Sequence, residues 1–347
     1  MMGSTRSATQ VPRLGGRMRI RSSLVFILLS VSCVCRSNAQ ACQNPVRGVS
    51  ASTDHGLQIP ISVHGGGIFV PVKINGGATF DFLLDTGFEG SVIDPSTATA
   101  LHLQPAARHV QSAPGGQVET SSVDGVHRRV AGVPLPGDSL DSLDLTGFAP
   151  FFSHRVDGVL GYDFFEHYVV VLDYEHQNLT LCDPATFREA GVHPVAIDLA
   201  SRQPYIRAEI EGTDGHKTEG SLEIDTGKVD PFSLNADFAR KSGLFRDGPG
   251  VLAMKGVSLG GETQAWMIRG NALRFGDIRL RRPLIGVAEE DATRAGQLGY
   301  GMLRRFTIAF NYPQRQVFFR PNAWVNEPFE FDHAGFTPNQ RARTSPL

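Results

Sequence analysis

Two Asp-Thr-Gly triplets are the residues of this chain best suited to chemistry. They are Asp85-Thr86-Gly87 in "FDFLLDTGFEGSVID" and Asp225-Thr226-Gly227 in "GSLEIDTGKVDPFSLN". A single triplet reads as a turn that its own carboxylate caps. Two carboxylates brought close together can do more. Like charges at short range cannot both ionise, so the pair holds one proton, and one oxygen serves as base while the other serves as acid. The titration then belongs to the pair. Such a pair can activate water against an amide without a metal or a covalent nucleophile. The glycine after each threonine lets backbone approach the carboxylate, and a buried threonine hydroxyl can brace one loop against the other.

The elements that must position these triplets repeat as well. Ile68, Val70, Val72 and Ile74 alternate, Asn75–Gly77 supplies a tight turn, and Ala78, Phe80, Phe82 and Leu84 alternate again. This hairpin pattern delivers Asp85 at a strand end. Ile206, Ala208 and Ile210 begin the same pattern, with a turn at Asp214-Gly215, and it delivers Asp225, 140 residues after Asp85. Downstream, "GVLGYDFFEHYVVVLDYEHQNLTL" lies over "GQLGYGMLRRFTIAFNYPQRQVFF" without a gap. Gly158, Leu160, Gly161, Tyr162 and Tyr174 thereby meet Gly296, Leu298, Gly299, Tyr300 and Tyr312, at an offset of 138. Two elements recurring in one order at one interval make an internal duplication, and a period this long means two domain-sized lobes. We place them at 58–186 and 194–321. "DPATFREAGVHPVAIDL" between them combines a short helical stretch with a connecting strand, and 322–347 is a C-terminal tail with packable aromatics at its start.

Composition agrees with this plan. The 347 residues are 41% hydrophobic, enough for two cores. The 38 glycines and 21 prolines favour short strands joined by turns, so the expected class is mostly β. Lys plus Arg (33) nearly balances Asp plus Glu (35), which argues against a nucleic-acid partner. Arg17, Arg19 and Arg21 precede the apolar run "LVFILLSVSCV", and "NAQA" offers small residues for cleavage, so 1–41 reads as a signal peptide. The expectation is a secreted or periplasmic protein with no transmembrane span after signal removal, lipoprotein anchoring being the less favoured route. Cys33 and Cys35 would leave with the signal. Cys42 and Cys182 then either form one disulfide or remain two thiols. No Cys/His spacing suggests a metal, and no cofactor is implied. "HGGGIF" at His64–Phe69 is followed by no GxSxG nucleophile elbow and reads as the entry to a strand.

Together these motifs resemble the aspartic proteases of the pepsin and retropepsin superfamily, especially exported retropepsin-like proteins of bacteria. "FLLDTGFEGSVI" is similar to the family's apolar-apolar-Asp-Thr-Gly loop, and "GVLGYDFF" and "GQLGYGML" to its apolar-apolar-Gly element. The resemblance covers both lobes. It implies a two-lobed pepsin/retropepsin-like acid-protease fold with pseudo-twofold symmetry, acting on a peptide or protein substrate as a monomer. It makes Asp85 and Asp225 the catalytic dyad, Thr86 and Thr226 the interlocked hydroxyls, and Gly87 and Gly227 the close-approach glycines. Gly161 and Gly299 become supports beneath the aspartates.

Two departures stand beside the resemblance. The family usually carries a small or hydroxylated residue after the triplet, whereas this chain has Phe88 and Lys228. Loss of a hydroxyl would raise the carboxylate pKa, and a cation beside Asp225 would lower it. Lys228 also supports an alternative, in which the dyad is silenced and the protein is a peptide-binding or scaffold protein on the same fold. Candidate flaps are the turns at Gly115-Gly116 and Gly260-Gly261, which otherwise read as ordinary surface hairpins.

Overall fold

A computed structural model describes residues 56–113, 116–246, 248, 251–258, 261–289 and 294–330. Among the described residues the chain is mostly β, arranged in three sheets. Among the described residues, no helix is long and apolar enough to cross a membrane.

The hairpin signals become hairpins. Gly67–Ile74 pairs antiparallel with Thr79–Leu84 around Asn75 and Gly76, both of which hold positive φ as an Asn-Gly turn requires. Tyr205–Glu211 pairs with Lys217–Ile224 in the same manner, with Gly215 at positive φ in the turn. Each hairpin sits within a larger sheet. The first sheet runs Pro105–Ala113, Gly116–Asp124, Ser139–Leu143, Val92–Ile93, Gly158–Leu160, then the hairpin, then Arg128–Val130 and Val133–Pro134. The second runs Leu252–Ser258, Gly261–Arg269, Leu284–Ala288, Phe232–Asn235, Gly296–Leu298, then its hairpin, then Ala272–Phe275 and Ile278–Arg281. Place for place, the two orders are the same, apart from Ser62–His64, which pairs with Gly67–Ile74 in the first sheet alone.

The "VLG" and "QLG" elements have a specific role in these sheets. Gly158–Leu160 lies parallel to the aspartate strand and antiparallel to Val92–Ile93, so it is threaded between the two strands that flank the Asp85 loop. Gly296–Leu298 does the same for the Asp225 loop. Leu160 and Leu298 carbonyls accept hydrogen bonds from the Asp85 and Asp225 amides, at 3.0 and 2.9 Å.

The third sheet has six strands and joins the two copies of the repeat. Its centre is the antiparallel pair Val169–Asp173 and Phe306–Asn311, in the register Val170 to Phe310 and Leu172 to Ile308. Outside these lie Asn178–Cys182 and Leu57–Pro60 on one edge, and Gln316–Pro321 and Val195–Ala196 on the other. One continuous core of buried aliphatic and aromatic side chains runs from Ile59 through Leu84 and Ile224 to Phe319. Cys182 is buried in this sheet and disulfide-bonded, and the other three cysteines, Cys42 included, lie outside the described residues.

Between the copies, the expected helical stretch is a hydrogen-bonded turn. Phe187 N–H reaches the Asp183 carbonyl at 3.0 Å and the Asp183 side chain accepts from Ala185 N–H, so Asp183 caps a single helical turn that is not continued. In the tail, Trp324 and Phe329 pack on the core. The buried Arg305 guanidinium lies over the Phe329 ring and donates to the carbonyls of Gly301, Trp324 and Glu327. Residues beyond 330 lie outside the described residues.

Gly161 and Gly299 have extended backbones that any residue can adopt, so space alone requires glycine there. A Cβ on Gly161 would meet the Gly90 carbonyl and, at 2.8 Å, the Phe88 carbonyl. A Cβ on Gly299 would meet the Asp230 carbonyl and, at 2.7 Å, the Lys228 carbonyl. All four carbonyls belong to the aspartate loops. Gly299→Ala should therefore cost about 1–3 kcal/mol. Thermal unfolding followed by circular dichroism should show a fall of a few degrees in Tm, while Gly76→Ala, which meets no atom, should show only its turn strain.

Candidate active site

The two triplets meet. Each lies just past the end of its strand, and the threonines join them through reciprocal bonds. Thr86 N–H donates to Thr226 Oγ1 and Thr226 N–H donates to Thr86 Oγ1, both at 3.0 Å. The hydroxyls then donate onward, Thr86 to the Ile224 carbonyl at 2.6 Å and Thr226 to the Leu84 carbonyl at 2.8 Å. Both side chains are fully buried. Four hydrogen bonds thus clamp two loops 140 residues apart.

The clamp sets the aspartates side by side, close enough that the Asp225 charge acts on Asp85. Gly87 and Gly227 make this approach feasible. A Cβ on Gly227 would fall on the Asp85 carboxyl, 2.8 Å from Oδ1, and one on Gly87 would lie 3.2 Å from Asp225 Cγ. Each carboxylate is also held by its own loop. Gly87 N–H donates to Asp85 Oδ1 at 2.7 Å, and Gly227 N–H to Asp225 Oδ1 at 3.0 Å.

The surroundings of the two carboxyls then diverge. Burial, and after it the Asp225 charge, pushes Asp85 well above the usual carboxylate range. Burial raises Asp225 as well, but the Lys228 ammonium and the loop amides oppose that rise. Lys228 N–H donates to Asp225 Oδ1 at 3.1 Å, whereas Phe88 N–H points to the Asp85 main-chain carbonyl at 3.4 Å. Gln297 Nε2 adds a donor to Asp225 Oδ2 at 2.9 Å. These contacts favour the charged form of Asp225 more than that of Asp85.

The departures from the family pattern have concrete places. Phe88 packs against the apolar cluster of Phe69, Leu83, Val92 and Val159. Lys228 Nζ lies 3.7 Å from Asp230 Oδ2, so its ammonium is shared between the outer loop and the field at Asp225. The candidate flaps are hairpins in matching places of the two sheets. Ala113 pairs with Gly116 and Ser258 with Gly261, while Gly115 and Gly260 lie outside the described residues.

Sequence reasoning passed over a second group of residues. Gln297 Nε2 also reaches Glu223 Oε2 at 3.2 Å, and buried Glu223 is ion-paired with Arg294. Gln203 bonds the Gly87 carbonyl at 2.5 Å, and Tyr205 donates to Gln203 Oε1 at 2.8 Å. Their signal was present where "SLEIDTG" carries Glu223 at the place of Leu83 in "DFLLDTG", and where "GQLGY" carries Gln297 at the place of Val159 in "GVLGY".

The threonine clamp makes a direct prediction. Thr226→Val keeps the shape but strands the Thr86 N–H and the Leu84 carbonyl in the interior, at about 1–3 kcal/mol for each unsatisfied group. Urea unfolding should show Thr226→Val destabilised by about that amount or more, and Thr226→Ser close to wild type.

Comparison with known proteins bears on one of the two loops. No curated protein matches the chain. Residues 70–164, from the first hairpin through Asp85 to the helical turn after Gly161, match the family model for aspartyl protease. The chain is thus similar to aspartyl proteases over the stretch that carries its first triplet, and this supports an aspartyl protease family.

Proposed function

We propose that this chain is an aspartic endopeptidase that hydrolyses peptide bonds on the Asp85/Asp225 dyad. The observation that carries the reading is the juxtaposition of two carboxyls where two Asp-Thr-Gly loops interlock through their threonines. In this reading the fold is a two-lobed, pseudo-twofold pepsin/retropepsin-like one, with lobes at 58–186 and 194–321. The hairpins around Gly115-Gly116 and Gly260-Gly261 serve as flaps over an extended peptide. The protein works as an exported monomer once 1–41 is removed.

The chemistry follows from the unequal pair. Asp225, ionised, takes a proton from a bound water as the water oxygen bonds to the scissile carbonyl carbon. Asp85 gives its proton to the carbonyl oxygen, and a gem-diol results. Return of a proton from the gem-diol to Asp85, and of the Asp225 proton to the amide nitrogen, breaks the C–N bond. The dyad ends with the single proton it began with. Support for these roles comes from the amides and the Gln297 side chain aimed at Asp225, which stabilise its charged form.

Two outcomes test this. Asp85→Asn should lower casein hydrolysis by about 10²–10⁴-fold, the span of general acid–base contributions. If wild type and Asp85→Asn are equally inert from pH 3 to 8, the silent peptide-binding alternative stands instead. The same variant should be more stable than wild type at pH 7. A buried acid whose folded pKa is raised supports the fold below its unfolded pKa and loses that support as pH rises through the folded value. The Tm difference should therefore shrink as pH falls toward about 4, the ordinary carboxyl range.

Both carboxyls are raised, so the singly protonated window lies higher than for free carboxylic acids. The pH–activity profile should peak above about pH 4. A peak below that value would contradict the assigned environment of the dyad.

A further inference from the structure

One row of side chains beside the dyad differs in kind between the two sheets. In the first sheet Phe69, Leu83, Val159 and Val92 are neighbours in register across four strands. In the second sheet the same places hold Tyr205, Glu223, Gln297 and Ser233. Leu83 and Glu223 each stand two residues before an aspartate, so they share its side of the strand. The first row closes an apolar cluster with Val156. At the repeat offset, Val156 corresponds to Arg294.

The second row is an expensive substitution. A buried carboxylate, guanidinium and amide are less favourable than an apolar set of the same shape unless their hydrogen bonds are met and used. Glu223 Oε1 is buried without a hydrogen-bond partner among the described residues, but the bonds that are made run one way, toward Asp225. Arg294 pairs with Glu223 and also reaches the Tyr205 hydroxyl at 3.2 Å. Glu223 Oε2 and Asp225 Oδ2 both accept from Gln297 Nε2. Two acceptors on one nitrogen fix the amide with its NH₂ toward the dyad. Beside Asp85 the matching place holds Val159, which can donate nothing.

We propose that Arg294, Glu223 and Gln297 form a one-sided positioning relay that holds Asp225 as the ionised base. The relay rests on the peptidase reading and deepens it. Gln297 touches the carboxylate, while Glu223 and Arg294 act through Gln297.

Around Asp225 the other titratable and charged groups are few among the described residues. Asp85 faces it from the first sheet, Lys228 from its own loop and Glu223 from its own strand, with Arg294 behind Glu223. Tyr174 and Tyr312, each just past the end of a strand of the joining sheet, interact with its charge. Burial pushes both phenols well above their usual range, so they stay neutral as the dyad titrates.

The test is the pH dependence of kcat/KM for a chromogenic peptide, in wild type and in Gln297→Val, which copies Val159. Removing a donor to the ionised form disfavours that form. The acidic limb should therefore move up by about one pH unit, with about 10-fold lower activity at its foot and the basic limb unmoved. A triple variant, Arg294→Val with Glu223→Leu and Gln297→Val, gives the second row apolar partners throughout and should show the same shift. If turnover is too low to follow, the same midpoint is read from the pH dependence of binding of a statine-type inhibitor. An active wild type whose acidic limb stays in place in both variants overturns the relay alone. A wild type inert across the range overturns the peptidase reading, and the relay falls with it.

Discussion

The arrangement depends on the reciprocal hydrogen bonding of Thr86 and Thr226. Each threonine uses its amide and its hydroxyl on the opposite loop, so neither loop is complete alone. The partners are backbone groups at the ends of the aspartate strands, Ile224 and Leu84, which would otherwise be buried without partners. The clamp therefore satisfies the backbone where two strands end against each other, and it sets the spacing of the carboxyls in the same act. A hydroxyl at these two places does both, which a methyl could not.

Around the clamp, glycine is used where chain must pass chain. Gly161 and Gly299 let the threaded strands lie directly under the aspartate loops, and Gly87 and Gly227 let the loops close over the opposite carboxyl. The joining sheet adds the third constraint, because Val169–Asp173 and Phe306–Asn311 pair in register through the centre of the core. Relative movement of the loops would have to break either that ladder or the threonine bonds.

Much of this was legible before any coordinates. Period-two alternation and the Asn75-Gly76 and Asp214-Gly215 turns marked both hairpins, since strand geometry and turn chemistry are local properties. The recurrence of Asp-Thr-Gly and Leu-Gly-Tyr at one interval marked the residues that meet. Less legible were features set by tertiary packing. The stretch after Asp183 starts as a capped helical turn but does not continue as a helix. Glu223 and Gln297 were passed over, because alternation alone does not say which face a polar side chain takes when both faces are covered. Comparing the two copies position by position, rather than each copy with a strand pattern, is what would have separated them.

That comparison bears on a general difficulty of a duplicated site. Two equal copies place two equal carboxyls, while acid–base chemistry needs them unequal. The proton shared by such a pair can sit on either member, and only the surroundings lift the degeneracy. In this chain the loops differ modestly, by the Lys228 amide and ammonium on one side and Phe88 on the other. The larger difference lies one layer down, in strand positions that carry an apolar row in the first sheet and a charged, hydrogen-bonded row in the second. Backbone is kept common to both copies, so the clamp and the spacing survive. Side chains that never enter the loops are then free to differ, and burial strengthens the field of their few charges on one aspartate over the other.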